Sequence, residues 1–200
     1  MAASWIARLW DTIKAAGSPH LPPAPELAEV ERAQAHDAAW AEEVVRRALS
    51  CVGTGIYGLG KGGRDPKAPS PLDAHGLADC SAFLAWAWGE SRYDPDDGED
   101  EIGGDWIYTD ALEADAKGRQ RFCRQIAVAD VLPGDGLVYG AGAKVGHCAI
   151  VVAVPPVVRR FADVSVAHCH GPSGHGPAIT RANGGLWDRK GGIAIRRVGR

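Results

Sequence analysis

The sequence contains no apolar run long enough to cross a membrane, no internal repeat and no low-complexity tract. None of its five cysteines forms a C-x-x-C pair, which disfavours a structural zinc site. An odd number of cysteines at irregular spacing is also unlike a disulfide framework. A net charge of −3 gives no basic excess, so nucleic acid is not an expected partner. These absences exclude a membrane-spanning protein, a nucleic-acid binder and a disulfide-stapled scaffold.

The composition is that of a globular protein. The chain has 200 residues, of which 46% are apolar and 24% are charged, enough for one domain with an extension. Its 26 glycines and 13 prolines predict many turns.

The first 25 residues are predicted to be an extension. Residues 1–16 have an apolar stripe typical of a short helix, and residues 17–25 form a proline-rich connector. Residues 26–200 are predicted to be a single domain. No signal peptide is recognisable. We therefore expect synthesis in the cytoplasm and delivery to any outside target by lysis, by a phage or by a secretion system.

The pattern of elements indicates an α+β fold. Helices are predicted over residues 26–50, 80–89 and 105–118. The strands follow later, at residues 122–127, 137–139, 146–154, 164–170, 178–180 and 193–198. Residues 51–78 and the acidic residues 90–104 are predicted to be loops. An order in which the helices come first and the strands later favours one antiparallel sheet packed on the helix that begins at Cys80.

Cys80 is the candidate nucleophile. It follows Asp79, a good capping residue, and begins an apolar, helix-favouring run that ends before Gly89. The partial positive charge of a helix N-terminus favours thiolate over thiol, and the thiolate is the nucleophile. A small buried structural cysteine is the alternative.

Three histidines on predicted strands are candidate partners of Cys80. His147 opens the most apolar strand, whereas His168 and His170 share one face of a later strand. If the two strands are neighbours, His147 becomes a base and either His168 or His170 orients its ring. A zinc site made by His168, His170, His175 and a cysteine is the alternative.

Four motifs, in order, resemble the NlpC-type cell-wall peptidases, which belong to the papain-like superfamily together with the CHAP amidases. Asp79-Cys80-Ser81-Ala82-Phe83 resembles that family's D-C-S-G-F signature, with Ala82 in place of the glycine. The other three motifs are the entry that ends at Tyr57, the turn and strand Pro133-Gly134-Asp135-Gly136-Leu137-Val138-Tyr139, and the strand Gly146-His147-Cys148-Ala149-Ile150-Val151.

The resemblance implies a papain-like fold and cleavage of amide bonds in peptidoglycan stem peptides, with no cofactor. It implies Cys80 as nucleophile, His147 as base and His168 as the orienting residue, with Tyr57 on the oxyanion side. His170 stays a rival for the third role.

Two other functions remain open. A related fold can serve an acyltransferase or a deamidase, with the same residues and another substrate. The chain can also be a non-enzymatic binding module or a structural module of a phage particle, and that hypothesis predicts a buried, inert Cys80. The expected partner is a peptidoglycan peptide. The sequence identifies neither a delivery partner nor an immunity partner.

Overall fold

A computed structural model describes residues 27–92, 107–140, 142, 145–171 and 177–198. The predicted N-terminal helix, the proline-rich connector, most of the acidic loop and His175 lie outside these residues.

The described elements follow the predicted order of helices and strands. The helices are α1 Leu27–Ser50, α2 Cys80–Ala87, α3 Thr109–Lys117 and α4 Gly185–Lys190, with single 3-10 turns at Val128–Asp130 and Phe161–Asp163. The strands are β1 Ile56–Tyr57, β2 Leu77–Ala78, β3 Cys123–Ile126, β4 Gly136–Tyr139, β5 His147–Ala153, β6 Ser165–Cys169, β7 Ile179–Asn183 and β8 Ile193–Arg197.

Six of the strands form one antiparallel sheet in the order β3-β8-β4-β5-β6-β7. The strands β4 and β5 pair so that Tyr139 lies opposite His147. β6 is the next strand along, as the histidine hypothesis required. The prediction of a mixed helix and antiparallel-sheet fold agrees with this architecture.

The sheet buries side chains on both faces, so the central strand β5 is an almost continuous apolar run. One face packs against α2, and the shared core includes Phe83, Leu84 and Ile150. The other face has a second core, which includes Val151 and Trp187. Neighbouring residues of β5 and β6 therefore belong to different cores, because side chains alternate along a strand.

The chain divides into two compact units, residues 1–39 and 40–200. Of the first unit the structure describes residues 27–39, which form the start of α1. The second unit contains all the other described elements. The predicted domain boundary after residue 25 stays a prediction. Among the helices in the described ranges, none is both long and apolar enough to cross a membrane.

Two small features depart from the sequence-based expectation. The segment predicted as a loop between α1 and Cys80 contains the parallel pair of β1 and β2, in which Tyr57 lies opposite Ala78. Strands of two residues are too short to produce an alternating pattern. The helix α4 was not predicted, because its six residues begin at glycine and no side chain caps them.

The glycine-rich loop after α1 lies directly on the first turn of α2. Gly63 has a φ of +71°, and a Cβ there would come within 2.8 Å of the Ala82 backbone. Only glycine fits this approach without displacement of α2. The glycine-rich loop, residues 51–64, is therefore packed against the helix turn that carries Cys80.

Candidate active site

Asp79 caps the helix that carries Cys80. Its Oδ1 accepts hydrogen bonds from the Ala82 amide at 2.9 Å and from the Ser81 hydroxyl at 3.0 Å. The cap predicted from the sequence is therefore present, and Cys80 is the first residue of α2. This geometry places the sulfur at the positive end of the helix.

The other oxygen of Asp79 belongs to a buried ion pair. Oδ2 lies 2.8 Å from the Arg92 guanidinium and also accepts the Gly60 amide at 2.8 Å. Arg92 in turn donates to the Lys61 carbonyl oxygen at 3.1 Å. One carboxylate thus connects the first turn of α2 to the glycine-rich loop and to the segment after α2.

The Cys80 thiol is surrounded by groups that favour its thiolate. A hydrogen bond from the Cys148 thiol has the largest effect in lowering the pKa of Cys80. Burial opposes this shift, and a hydrogen bond with His147 together with the charge of its imidazolium adds to it. The Asp79 carboxylate raises the pKa by a smaller amount. As the net result, the pKa of Cys80 lies well below the usual range of a cysteine.

All five cysteines are free and buried. Cys80 is 5% exposed. Burial alone is what a structural cysteine shows, but the depressed pKa is not. Burial raises the pKa of Cys51, Cys123 and Cys169, so Cys80 differs chemically from these other thiols.

His147 and His168 form a direct pair. The Nε2 atom of His147 lies 2.8 Å from Nδ1 of His168, and both rings are buried. Because Nε2 of His147 is hydrogen-bonded to His168, the other ring nitrogen of His147, Nδ1, is the one available to the Cys80 sulfur. The order is therefore thiol, imidazole, second imidazole.

His168 is not suited to take up a proton from His147 or from His170. Burial, followed by the positive charges of His147 and His170, lowers its pKa to about 3. A neutral His168 can accept at Nδ1 the N–H that His147 carries on Nε2 when His147 is protonated. The pair can thus hold an imidazolium next to the thiolate.

His170 lies beside the pair and is not hydrogen-bonded to it. Its ring stacks on His168 with centroids 4.7 Å apart, and its centroid is 6.4 Å from that of His147. Its Nδ1 atom is 3.2 Å from the Gly171 carbonyl oxygen, and the residue is exposed. The geometry therefore favours His168 for the third role.

Replacing His168 by alanine is expected to lower kcat/KM by about 10²–10⁴-fold, because the His147 ring loses its hydrogen-bonding partner. The exposed His170 provides a matched control two residues away, and His170→Ala is expected to stay close to wild type. Steady-state kinetics on a substrate that the wild type cleaves measures both variants. The reverse ranking would transfer the third role to His170.

Two tyrosines complete the surroundings of the thiol. Burial, and then the negative charges of Cys80 and Asp79, raise the pKa of Tyr57, so its hydroxyl keeps its proton beside the site. Burial followed by the charge of Cys80 raises the pKa of Tyr139 in the same direction. The role of Tyr57 on the oxyanion side stays a prediction, and its half-buried phenol is a suitable donor.

The structure describes His168, His170 and all five cysteines. Within the described ranges, no group of three or more histidines, cysteines and carboxylates is placed to bind a metal ion. His168 and His170 were candidate metal ligands, but the His168 ring pairs with His147 and the His170 ring stacks on His168.

Sequence reasoning missed three contributors to the site. Cys148 follows the predicted base directly, and nothing in the sequence distinguishes its thiol from a small core residue. Arg92 is separated from Asp79 by the whole of α2. Trp187 comes from the unpredicted α4, and its indole is stacked on His147 with centroids 5.3 Å apart.

Fold and site together define a cysteine, histidine, histidine arrangement in which the thiol begins a helix packed on an antiparallel sheet. No family model matches the sequence, and no curated protein matches it either. The chain is similar in structure to NlpC1 from Trichomonas vaginalis, with a TM-score of 0.41, 14% identity, and coverage of 80% of this chain and 43% of that one. It is also similar to the peptidoglycan hydrolase RipB from Mycobacterium tuberculosis, with a TM-score of 0.43, 18% identity, and coverage of 95% and 78%. The chain thus spans less than half the length of NlpC1.

Proposed function

We propose that the protein is a cysteine amidase or endopeptidase that hydrolyses amide bonds in peptidoglycan stem peptides. The observation that carries the proposal is the chain of contacts from Cys80 to His147 to His168. Such a chain supplies a nucleophile, a base and an orienting group. An inert structural cysteine requires none of these contacts.

The reaction follows from the positions of these groups. The Cys80 thiolate attacks the scissile carbonyl carbon, and His147 gives its proton to the leaving amine, so that a thioester forms. Water then attacks the thioester with His147 as base, which releases the acid and restores the thiol. His168 stays neutral and keeps the His147 ring in place.

The developing oxyanion requires donors near the sulfur. Backbone amides in the first turn of a helix lack an intrahelical partner, and in α2 the Ala82 amide is already bound to Asp79. The Cys80 amide and the Tyr57 hydroxyl are therefore the proposed donors. The substrate class rests on the four sequence motifs described above, and action at the cell wall requires delivery of the protein to that compartment.

A non-enzymatic binding module is the second candidate. The observation in its favour is the low exposure of Cys80, at 5%. A substrate carbonyl must reach this largely covered sulfur if the first proposal is correct. The two functions make opposite predictions for turnover and for thiol reactivity.

The experiment is mass spectrometry of purified muropeptides after incubation with wild type, Cys80→Ala and Cys123→Ala. We expect new fragments with wild type and Cys123→Ala and none with Cys80→Ala. Cys123 is a matched control because it is another buried cysteine, and burial raises its pKa. The fragment masses would identify the bond.

Three results would overturn this proposal. Fragments from a folded Cys80→Ala would remove Cys80 from the mechanism. An inactive wild type whose Cys80 is alkylated rapidly by iodoacetamide would indicate a thiol enzyme with another substrate, such as an acyltransferase or a deamidase. An inactive wild type with an inert Cys80 would favour the binding module.

A further inference from the structure

Trp187 of α4 is completely buried, and its indole packs against the histidine pair. Alternation along β5 and β6 assigns Cys148 and Cys169 to the core that contains Cys80. By the same alternation, His147 and His168 start from the opposite face of the sheet. Trp187 belongs to the core on that opposite face.

One indole contacts both imidazoles. Its centroid is 5.3 Å from that of His147, and the two rings are inclined by only 27°, which is a stacked arrangement. The distance to His168 is 5.8 Å at 60°. An edge contact with Tyr139 at 6.3 Å completes the surroundings of the indole. The ring plane of His147 is therefore set by a face contact as well as by its hydrogen bond to His168.

The indole nitrogen of Trp187 forms no hydrogen bond with the described residues at this position. Nε1 is buried and has no hydrogen-bond partner within the described part of the chain. A buried donor without a partner costs free energy, which a phenylalanine at the same position would avoid. The large electron-rich face of the indole is the property that phenylalanine supplies less well, and it attracts a cation above the ring.

We propose that Trp187 is a positioning residue for His147, one that holds the imidazole plane so that Nδ1 faces Cys80 and that favours the protonated ring through its π face. The proposal rests on the proposed function only in taking His147 as the base. The titratable groups around His147 are Cys80 from α2, Cys148 from β5, Tyr139 from β4, His168 from β6, and His170, which follows β6. Trp187 is the uncharged surface among them, so its removal changes ring orientation and cation stability without adding or removing a charge.

The test uses the rate constant for alkylation of Cys80 by iodoacetamide as a function of pH, with peptide mapping to confirm the modified residue. This readout requires no substrate. We expect Trp187→Leu to slow alkylation by about tenfold at pH values below the Cys80 pKa of both proteins, the size of one unit in the thiol's pKa. We expect Trp187→Phe, which keeps an aromatic face, to lose less.

Phe161→Leu is the matched control. Phe161 is buried in the same core as Trp187 and makes no contact with the histidine rings among the described ring contacts. Its variant is expected to lower the melting temperature while the alkylation profile stays at wild type. On a substrate that the wild type cleaves, Trp187→Leu is expected to lower kcat with little change in KM.

The outcomes separate this proposal from the proposed function. Identical alkylation profiles for wild type, Trp187→Leu and Phe161→Leu would overturn the positioning role, whether or not muropeptides are cleaved. A slowed profile in Trp187→Leu alone would support it even if no muropeptide were cleaved. If Trp187→Leu does not fold, Trp187→Phe decides the question, since a profile equal to wild type would overturn the role and a slower one would support it.

Discussion

Replacing His147 by alanine is expected to lower kcat/KM on a muropeptide by about 10²–10⁴-fold, the range that a general acid–base group contributes. The thiol also loses one hydrogen bond and the charge of the imidazolium, and both of these lower its pKa. The pKa of Cys80 therefore rises in the variant. Less thiolate is present at pH 6, and alkylation of Cys80 slows there while it approaches the wild-type rate at high pH.

The hydrogen bond from Cys148 remains in this variant, so the inflection of the alkylation profile stays below that of an ordinary cysteine. His75→Ala is the control, because His75 is exposed in the loop before β2. Circular dichroism and the melting temperature check the fold. A folded His147→Ala with wild-type kcat/KM would show that another group transfers the proton.

Replacing Asp79 by asparagine is expected to cost about 3–5 kcal/mol of folding stability, because it removes one partner of a buried ion pair. Asparagine is as good a helix cap as aspartate. The loss therefore reports the pair with Arg92 and not the cap. Chemical denaturation followed by circular dichroism measures the free energy of unfolding.

Ser81→Ala is the matched control for Asp79→Asn. It removes only the 3.0 Å hydrogen bond from the Ser81 hydroxyl to the same carboxylate, at a cost of about 1 kcal/mol. The two variants also differ at the thiol, because the Asp79 carboxylate raises the pKa of Cys80. In the folded fraction of Asp79→Asn, alkylation at acid pH should thus be no slower than in wild type. Equal stability losses in the two variants would show that the ion pair contributes little.

The elements that position Cys80 and His147 could be predicted because each has a local signal. The Asp79 cap, the apolar run after Cys80 and the continuous run of β5 depend on residues that are neighbours in the sequence. Alternation and strand order predicted that either His168 or His170 lies beside His147, and only the family resemblance implied His168. The residues alone could not decide between His168 and His170, since the two lie two positions apart on the same predicted strand and only the ring geometry separates them.

The contributors that were missed act across long sequence distances or through short elements. Trp187 lies on a six-residue helix without a side-chain cap, and it meets His147 only because the sheet brings the two together. Arg92 reaches Asp79 only after the chain has passed along α2. No periodicity encodes such contacts, because they depend on packing and not on spacing.

The folded state holds thiols apart that an unfolded chain could join. Cys123 on β3 and Cys169 on β6 are four strand spacings apart in the sheet, about 19 Å, and a disulfide cannot bridge this distance. An unfolded chain has no such separation. In an oxidising compartment it could form bridges that the native sheet cannot accommodate. A chain that crosses into such a compartment unfolded thus risks permanent misassembly, whereas one that arrives folded holds Cys123 and Cys169 apart.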